Sequence, residues 1–413
     1  MSAVPLLEEE GGAPLVSTPQ AGDAPASRAR RSLAIYPASA GFELVEELEH
    51  LSARAIEPNV FFNPRFLAPA MPRLDDRDVR LAVIRDGDEG RSRLRLLVPF
   101  TVERTAPPFG APVLRTWSSP FGPLGTPLVD CDDPAGVIED FFGMLSRPHL
   151  KLPKVFVLPE VRLDGPFAAL VGRHAEAHGL PLALANRIER PHLKAQVEAD
   201  DYLRASLGGH HFRELRRLKR RLSERGRLDY TVARQPEEVR LAVETFLALE
   251  ASGWKGRART AMAIDRYRAA FVREAAQRLA GRDLCRVHQL SLDGRAIASL
   301  VVFVESGVAY TWKTAYDEAF ARFSPGTLLM VEATRTLLDD PNVDIADSCA
   351  VPDHPVMSRL WRERRSLGTL VVGLTPDSGR QTRQAASQLG LYRQTRNAVR
   401  ILRGRVKRAF GRD

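Results

Sequence analysis

Cysteine is scarce in this chain: Cys131, Cys285 and Cys349 are the only three in 413 residues. They are odd in number, widely spaced and without paired metal-ligand spacing. That argues against a disulfide framework or a bound metal and points to reduced thiols in a cytoplasmic protein. Long hydrophobic runs are missing too. No apolar stretch approaches 18 residues, so no membrane span is expected, and Met1 to Leu6 has neither the basic start nor the apolar core of a signal peptide. What is present suffices for globular packing: 44% of the residues are hydrophobic, and a chain of this length has two domains as its default.

The net charge is +9, and its location says more than its size. Arg380 to Asp413 holds ten Lys or Arg and one acid, so residues 1–379 are formally neutral. Neutrality of the main body argues against broad nucleic-acid binding, DNA included. In the tail, Tyr392, Val399, Leu402, Val406 and Phe410 recur at helical spacing among arginines. This predicts a basic amphipathic helix over residues 380–413, after a linker from Ser378 to Gln388. Such a helix lies on an anionic membrane, binds an acidic partner, or packs its apolar stripe on the protein's own body. Met1 to about Arg31 is rich in Gly, Ala, Pro and Ser without periodicity, which predicts disorder. A second basic helix starts at His210, with arginines at 213, 216, 217, 220 and 221 and leucines at 215, 218 and 222. It is either a phosphate-binding element or a solvated linker helix.

Between the tails one pattern is stated twice: helix, hairpin, strand, proline-glycine loop, helix, strand. In the first half the hairpin is Val79 to Ile84 with Leu94 to Phe100, the strand Val113 to Trp117, the loop SSPFGPLG, and the closing strand Val155 to Leu158. In the second half the hairpin turns at Asp293 and Gly294. The next strand runs from Val308, with period-two alternation through Lys313. Pro325 then opens a helix, and Val343 to Ala346 is a short buried strand. Polar, reactive residues follow that strand and would face a helix N-terminus able to hold an anion.

Four segments in order, LEASGWKGR, YTWKTAYDEAFARFSPGTLL, DSCAVPDHP and LWRER, span about Tyr202 to Leu374. Here the chain resembles the CelD-type acetyltransferases, GNAT-related proteins of bacterial cellulose and exopolysaccharide synthesis. The tandem arrangement is also similar to the FemABX transferases. The resemblance implies an α/β (α+β) fold of two tandem GNAT-like units, each a mixed sheet flanked by helices. The expected divisions are a disordered segment 1–31, a degenerate unit 32–195, a catalytic unit 196–375 and a basic tail 376–413. The implied activity is transfer of an acyl group from acetyl-CoA or another acyl-CoA to a sugar or lipid-linked glycan of the cell envelope. The implied place is the cytoplasm, with peripheral inner-membrane contact through the tail. The loop of ordinary GNAT enzymes, Arg/Gln-x-x-Gly-x-Gly/Ala, is replaced by ARFSPGTLL. This keeps open an aminoacyl-tRNA donor, as in FemABX proteins, and a non-catalytic accessory role in polysaccharide synthesis.

The transfer needs a cofactor-binding helix start, an N–H donor for the acyl oxygen and a base. Ser324, Pro325, Gly326, Thr327 and Leu328 are the expected cofactor-binding segment, through the N–H groups from Gly326 to Leu328. Glu250, Asp347, His354 and Tyr316 are the candidate acid/base groups. Trp254, Lys255, Trp312, Lys313, Ser348, Cys349 and Asp353 are candidates for substrate binding, with Trp312 and Lys313 on opposite faces of their strand. Each has a plainer reading: a solvated glutamate, a core tryptophan, turn residues, or a histidine that caps the following helix.

Overall fold

The computed structural model describes residues 3–10, 31–87, 92–106, 110–194 and 198–392. The strands, in chain order, are β1 (Leu7–Glu10), β2 (Arg31–Pro37), β3 (Arg80–Asp86), β4 (Arg93–Arg104), β5 (Pro112–Thr116), β6 (Leu128–Val129) and β7 (Val155–Arg162). They continue as β8 (Leu182–Leu193), β9 (Leu228–Ala233), β10 (Cys285–Leu292), β11 (Arg295–Glu305), β12 (Val308–Tyr316), β13 (Ile345–Asp347) and β14 (Glu363–Gly373). The helices are α1 (Ala40–Glu43), α2 (Val45–Ala53), α3 (Pro64–Leu74), α4 (Pro134–Leu145), α5 (Pro166–Ala177) and α6 (Ala199–Ser223). After these come α7 (Pro236–Ser252), α8 (Trp254–Arg257), α9 (Arg266–Ala280), α10 (Pro325–Asp339) and α11 (Met357–Leu360). Among the described residues no helix is long and apolar enough to cross a membrane.

Two compact units result, and they are not contiguous in sequence. One comprises Met1–Glu57, Arg77–Ile188 and Ser366–Asp413; the other Pro58–Asp76 and Glu189–Arg365. This departs from the expected division at residue 195, because α3 packs against α9 of the second unit. That helix was not expected, since Pro64, Pro69 and Pro72 disguise it. Pro64 occupies the first turn, where no N–H is needed, and the Asn63 side chain caps it by accepting from the Arg65 N–H. Its Phe66 is the reason it docks: the ring makes edge contacts with Phe271, Phe303 and Trp312 at 5.2–6.3 Å.

The first unit has β1 to β5 in antiparallel order, then β7 parallel to β5 and β14 antiparallel to β7. Its core joins that sheet to α4 and α5 through Phe141, Phe142, Phe156 and Phe167. Two expectations fail here. Leu7–Glu10 is a strand rather than disordered, because Leu7 packs on this core and pairs with Ile35. Residues 379–392 are helical rather than a linker, since Ala385 and Leu389 are buried with Val113, Val157 and Val371. Tyr392 is exposed, whereas Val399, Leu402, Val406 and Phe410 lie outside the described residues.

In the second unit β9 to β12 are antiparallel and β13 is parallel to β12, with α10 as the crossover. The last residues of β8 pair with β13, Leu193 opposite Ala346 and His192 opposite Asp347. Both units thus repeat one plan: β2 to β5 and β9 to β12 are each four antiparallel strands followed by a parallel strand across a helix, as the sequence repeat predicts, and β1 is added at the outer edge of the first.

Candidate active site

The site begins where β12 loses a partner. β13 pairs with it only from Val308 to Tyr310, so on that edge no described strand covers Thr311 to Tyr316. Backbone groups along an uncovered edge are available to a ligand. On its other edge β12 carries a bulge: Thr311 pairs with Val302 and Lys313 with Val301, leaving Trp312 unpaired. A bulge breaks the strict alternation of faces. Trp312 and Lys313 are therefore not on opposite faces as expected; the Lys313 Nζ lies 5.8 Å from the Trp312 ring centroid. Trp312 is only 6% exposed and packs with Phe66, Phe271 and Phe303, so it is a core residue rather than a substrate contact.

A cavity of about 30 Å³ opens beside this strand end, between the C-terminus of α7, the α8 turn and Thr314 to Tyr316. Four of the expected residues line it together: Glu250, Trp254, Lys255 and Tyr316. Glu250 is 4% exposed, and both its oxygens are engaged. Oε1 accepts from Lys255 Nζ at 2.8 Å, and Oε2 accepts from the Met262 N–H at 2.7 Å. Glu318 closes the other wall by accepting from the Trp254 N–H and pairing with Arg257. Lys313 faces the same charges. Burial, with Lys255 and Arg268 nearby and Glu250 and Cys349 opposing, brings its ammonium down to about 8. A lysine that titrates near neutrality can carry a proton in catalysis, which its sequence context did not signal.

The start of α10 is a weaker anion site than expected. The Thr327 and Leu328 N–H groups both donate to the Ser324 carbonyl, and Pro325 has no N–H. Among the described residues, the Gly326 N–H is left without an acceptor in the predicted segment. Ser324 sits in the left-handed region at φ 52° and makes no side-chain cap, while Pro325 and Leu328 are buried. The Gly326 Cα is close to the Tyr316 ring: a Cβ built there would meet Cδ1 at 3.3 Å. Tyr316 therefore lines the cavity and touches the helix start. The equivalent helix of the first unit, α4, is closed by its own chain, because Asp133 accepts from the Gly136 N–H and is paired with Arg31.

DSCAVPDHP does not line the cavity among the described residues, and its side chains are mostly spoken for. Asp347 is inside β13, not beyond it, and 2% exposed. Its carboxylate faces Arg190 at 3.5 Å and accepts from the Cys349 N–H at 2.7 Å. Arg190 was missed because nothing in RIERPHL marks one arginine as buried. The Ser348 Oγ accepts from the Ala350 N–H. His354 accepts from the Met357 N–H at 3.2 Å and so caps α11, and burial lowers its pKa. Asp353 is exposed, at φ 59°. Cys349, at φ 49°, is among the groups that act electrostatically on Lys313. A triple of ligand-type side chains, Asp130, Cys131 and Asp132, occurs in the first unit, but Arg54 and Arg95 pair with both carboxylates.

Strand, open edge, crossover helix and short parallel strand fall within one recognised segment. Residues 209–347 match the acetyltransferase (GNAT) domain family. No curated protein matches the chain. The crystal structure of FemX is similar over 82% of this chain and 98% of that one, at 10% identity and a TM-score of 0.52. The C-terminal domain (DUF2156) of a putative lysylphosphatidylglycerol synthetase from Agrobacterium fabrum aligns over 84% of this chain and 96% of its own. Its identity is 12% and its TM-score 0.49. A tandem GNAT protein from the clavulanic acid biosynthesis pathway aligns over 82% and 98%, at 16% identity and a TM-score of 0.37. The GNAT domain thus lies in the second unit of an α/β chain whose first unit repeats the same strand plan, and the likeness to FemX, at 10% identity, is one of fold.

Proposed function

We propose that the GNAT domain is an acyltransferase that moves an acyl group from a thioester, acetyl-CoA in the simplest case, to a sugar or lipid-linked glycan of the cell envelope. The observation that carries this reading is the uncovered half of β12 beside a small cavity that holds the Glu250–Lys255 pair, and burial of the neighbouring Lys313 lowers its ammonium to about 8. The donor carbonyl lies along that edge, where backbone N–H groups stabilise the charge developing on its oxygen. The Gly326 N–H holds a donor phosphate. The acceptor's reacting group enters the cavity, Glu250 and Lys255 orient it, and neutral Lys313 takes its proton. Asp347 and His354 act in this scheme as supports, through Arg190 and the start of α11. The protein works on the cytoplasmic side of the membrane, close to the glycan it modifies.

Calorimetric titration with acetyl-CoA tests the donor, and no heat at millimolar ligand refutes it. Lys313→Arg tests the base. A guanidinium stays charged, so turnover should fall by about 10²–10⁴; full activity would leave Lys313 an electrostatic role only. The scarcity of uncommitted N–H groups in the segment from Ser324 to Leu328 favours one second reading, an aminoacyl-tRNA donor, whose phosphates would be met by the exposed arginines of α6. Activity that disappears with ribonuclease and with salt would select it.

A further inference from the structure

The first unit holds a larger cavity of its own, about 470 Å³, walled by the C-terminal halves of α4 and α5 and by Leu374 and Pro376 after β14. That volume admits a small molecule. Two histidines line it, His174 in the last turn of α5 and His178 at its C-cap, and side chains four positions apart project from one face of a helix. Their ring centroids are 4.3 Å apart. Each ring is held by a different contact: His174 stacks on the buried Phe142 at 5.0 Å, and His178 Nδ1 donates to the His174 carbonyl at 3.0 Å. The neutral His178 ring therefore carries its hydrogen on Nδ1 and its lone pair on Nε2. Among the described residues no hydrogen bond engages Nε2 of His178 or either nitrogen of His174. A backbone carbonyl that fixes one imidazole nitrogen and leaves the other open is the arrangement by which proteins present histidine to a metal.

Charge does not decide what enters, since the charged lining residues are Glu139, Asp140 and Arg147, and Asp140 is already paired with Arg31. The imidazole lone pairs decide. Magnesium and calcium take oxygen ligands, whereas paired imidazoles suit zinc, nickel and copper. The α4 wall is low at Gly143, where a Cβ would have nothing within 4 Å beyond its own stretch of helix, and this leaves room for further ligands of an ion. We propose that His174 and His178 form a binding site for a divalent cation of the zinc, nickel and copper class, its remaining coordination positions open to the cavity. The site lies outside residues 209–347, so it stands independently of the acyl-transfer reading. It also differs from the Asp130, Cys131 and Asp132 triple, whose carboxylates are held by Arg54 and Arg95.

The test is calorimetric titration of the metal-free full chain at pH 7 with zinc chloride, nickel chloride and magnesium chloride. Zinc and nickel should bind in the micromolar range, and magnesium should give no heat at the same concentrations. His178→Ala should weaken zinc by about ten-fold or more, and His178 is exposed, so this variant keeps the fold. His174→Phe leaves a ring on Phe142, removes both nitrogens and should weaken zinc as much. Cys131→Ser, and His210→Ala combined with His211→Ala, should keep the parental affinity. Copper added to the parent should show two imidazole nitrogens by electron paramagnetic resonance. No heat at millimolar zinc, parental affinity in either His174→Phe or His178→Ala, loss of binding in Cys131→Ser, magnesium binding as tight as zinc, or a copper signal from fewer than two imidazoles overturns the proposal.

Discussion

Replacing Lys313 by methionine should make the protein more stable and less active at once. The ammonium is charged in solution up to about 10.5 and in the folded protein only up to about 8. Below pH 8 both states are protonated, and the folded chain bears the full cost of a buried cation, about 3 kcal/mol. Between pH 8 and 10.5 the unfolded chain holds a proton that the folded chain has released, so stability rises with pH. Above 10.5 the cost is gone. Methionine keeps the apolar stem and removes the charge, at the loss of a cation–π contact with Trp312 worth about 0.5–1 kcal/mol. The variant should therefore exceed the parent by about 2 kcal/mol at pH 7 and by less than about 1 kcal/mol at pH 10. Urea unfolding at the two pH values measures this, and turnover should be lost in the same variant. Burial is the main cause of the shift, and Lys255, Glu250, Cys349 and Arg268 adjust it, so the comparison needs those groups intact. Equal stability of the two proteins at pH 7 would mean the ammonium is not desolvated, and the proton-transfer role would fall with it.

Other substitutions separate supports from reacting groups. Glu250→Gln removes the charge that favours the Lys313 ammonium and orphans Lys255, so the pH midpoint of turnover should move below that of the parent; an upward move would refute the coupling. Asp347→Asn removes one charge of the buried pair with Arg190, and breaking such a pair typically costs about 3–5 kcal/mol, so melting temperature should fall together with activity. Loss of activity with unchanged melting would restore Asp347 as a reacting group. Removing residues 393–413 spares Ala385 and Leu389 and should leave the fold intact while abolishing pelleting with anionic lipid vesicles; equal pelleting refutes the membrane role of the tail.

The strand–helix–strand plan was legible because its signals are local. Alternation from Val308, Pro325 at a helix start and the Asp293–Gly294 turn each need only neighbours in sequence. The docking of α3 was not legible, because what holds Pro64–Leu74 is a Phe66 ring meeting partners more than 200 residues away. The site divides the same way. Glu250, Trp254, Lys255 and Tyr316 were expected at one cleft and line one cavity. Their division of labour was not expected, since it depends on burial and on which charge finds which partner. DSCAVPDHP carries the most reactive-looking side chains, yet Asp347 is matched by Arg190 and His354 by the Met357 N–H. Lys313 looks like an ordinary strand lysine. A one-residue bulge next to Trp312 and an uncovered edge turn it into a half-buried amine between like charges. The most reactive letters are thus held by partners of their own, and the plain lysine is the one whose charge burial disfavours.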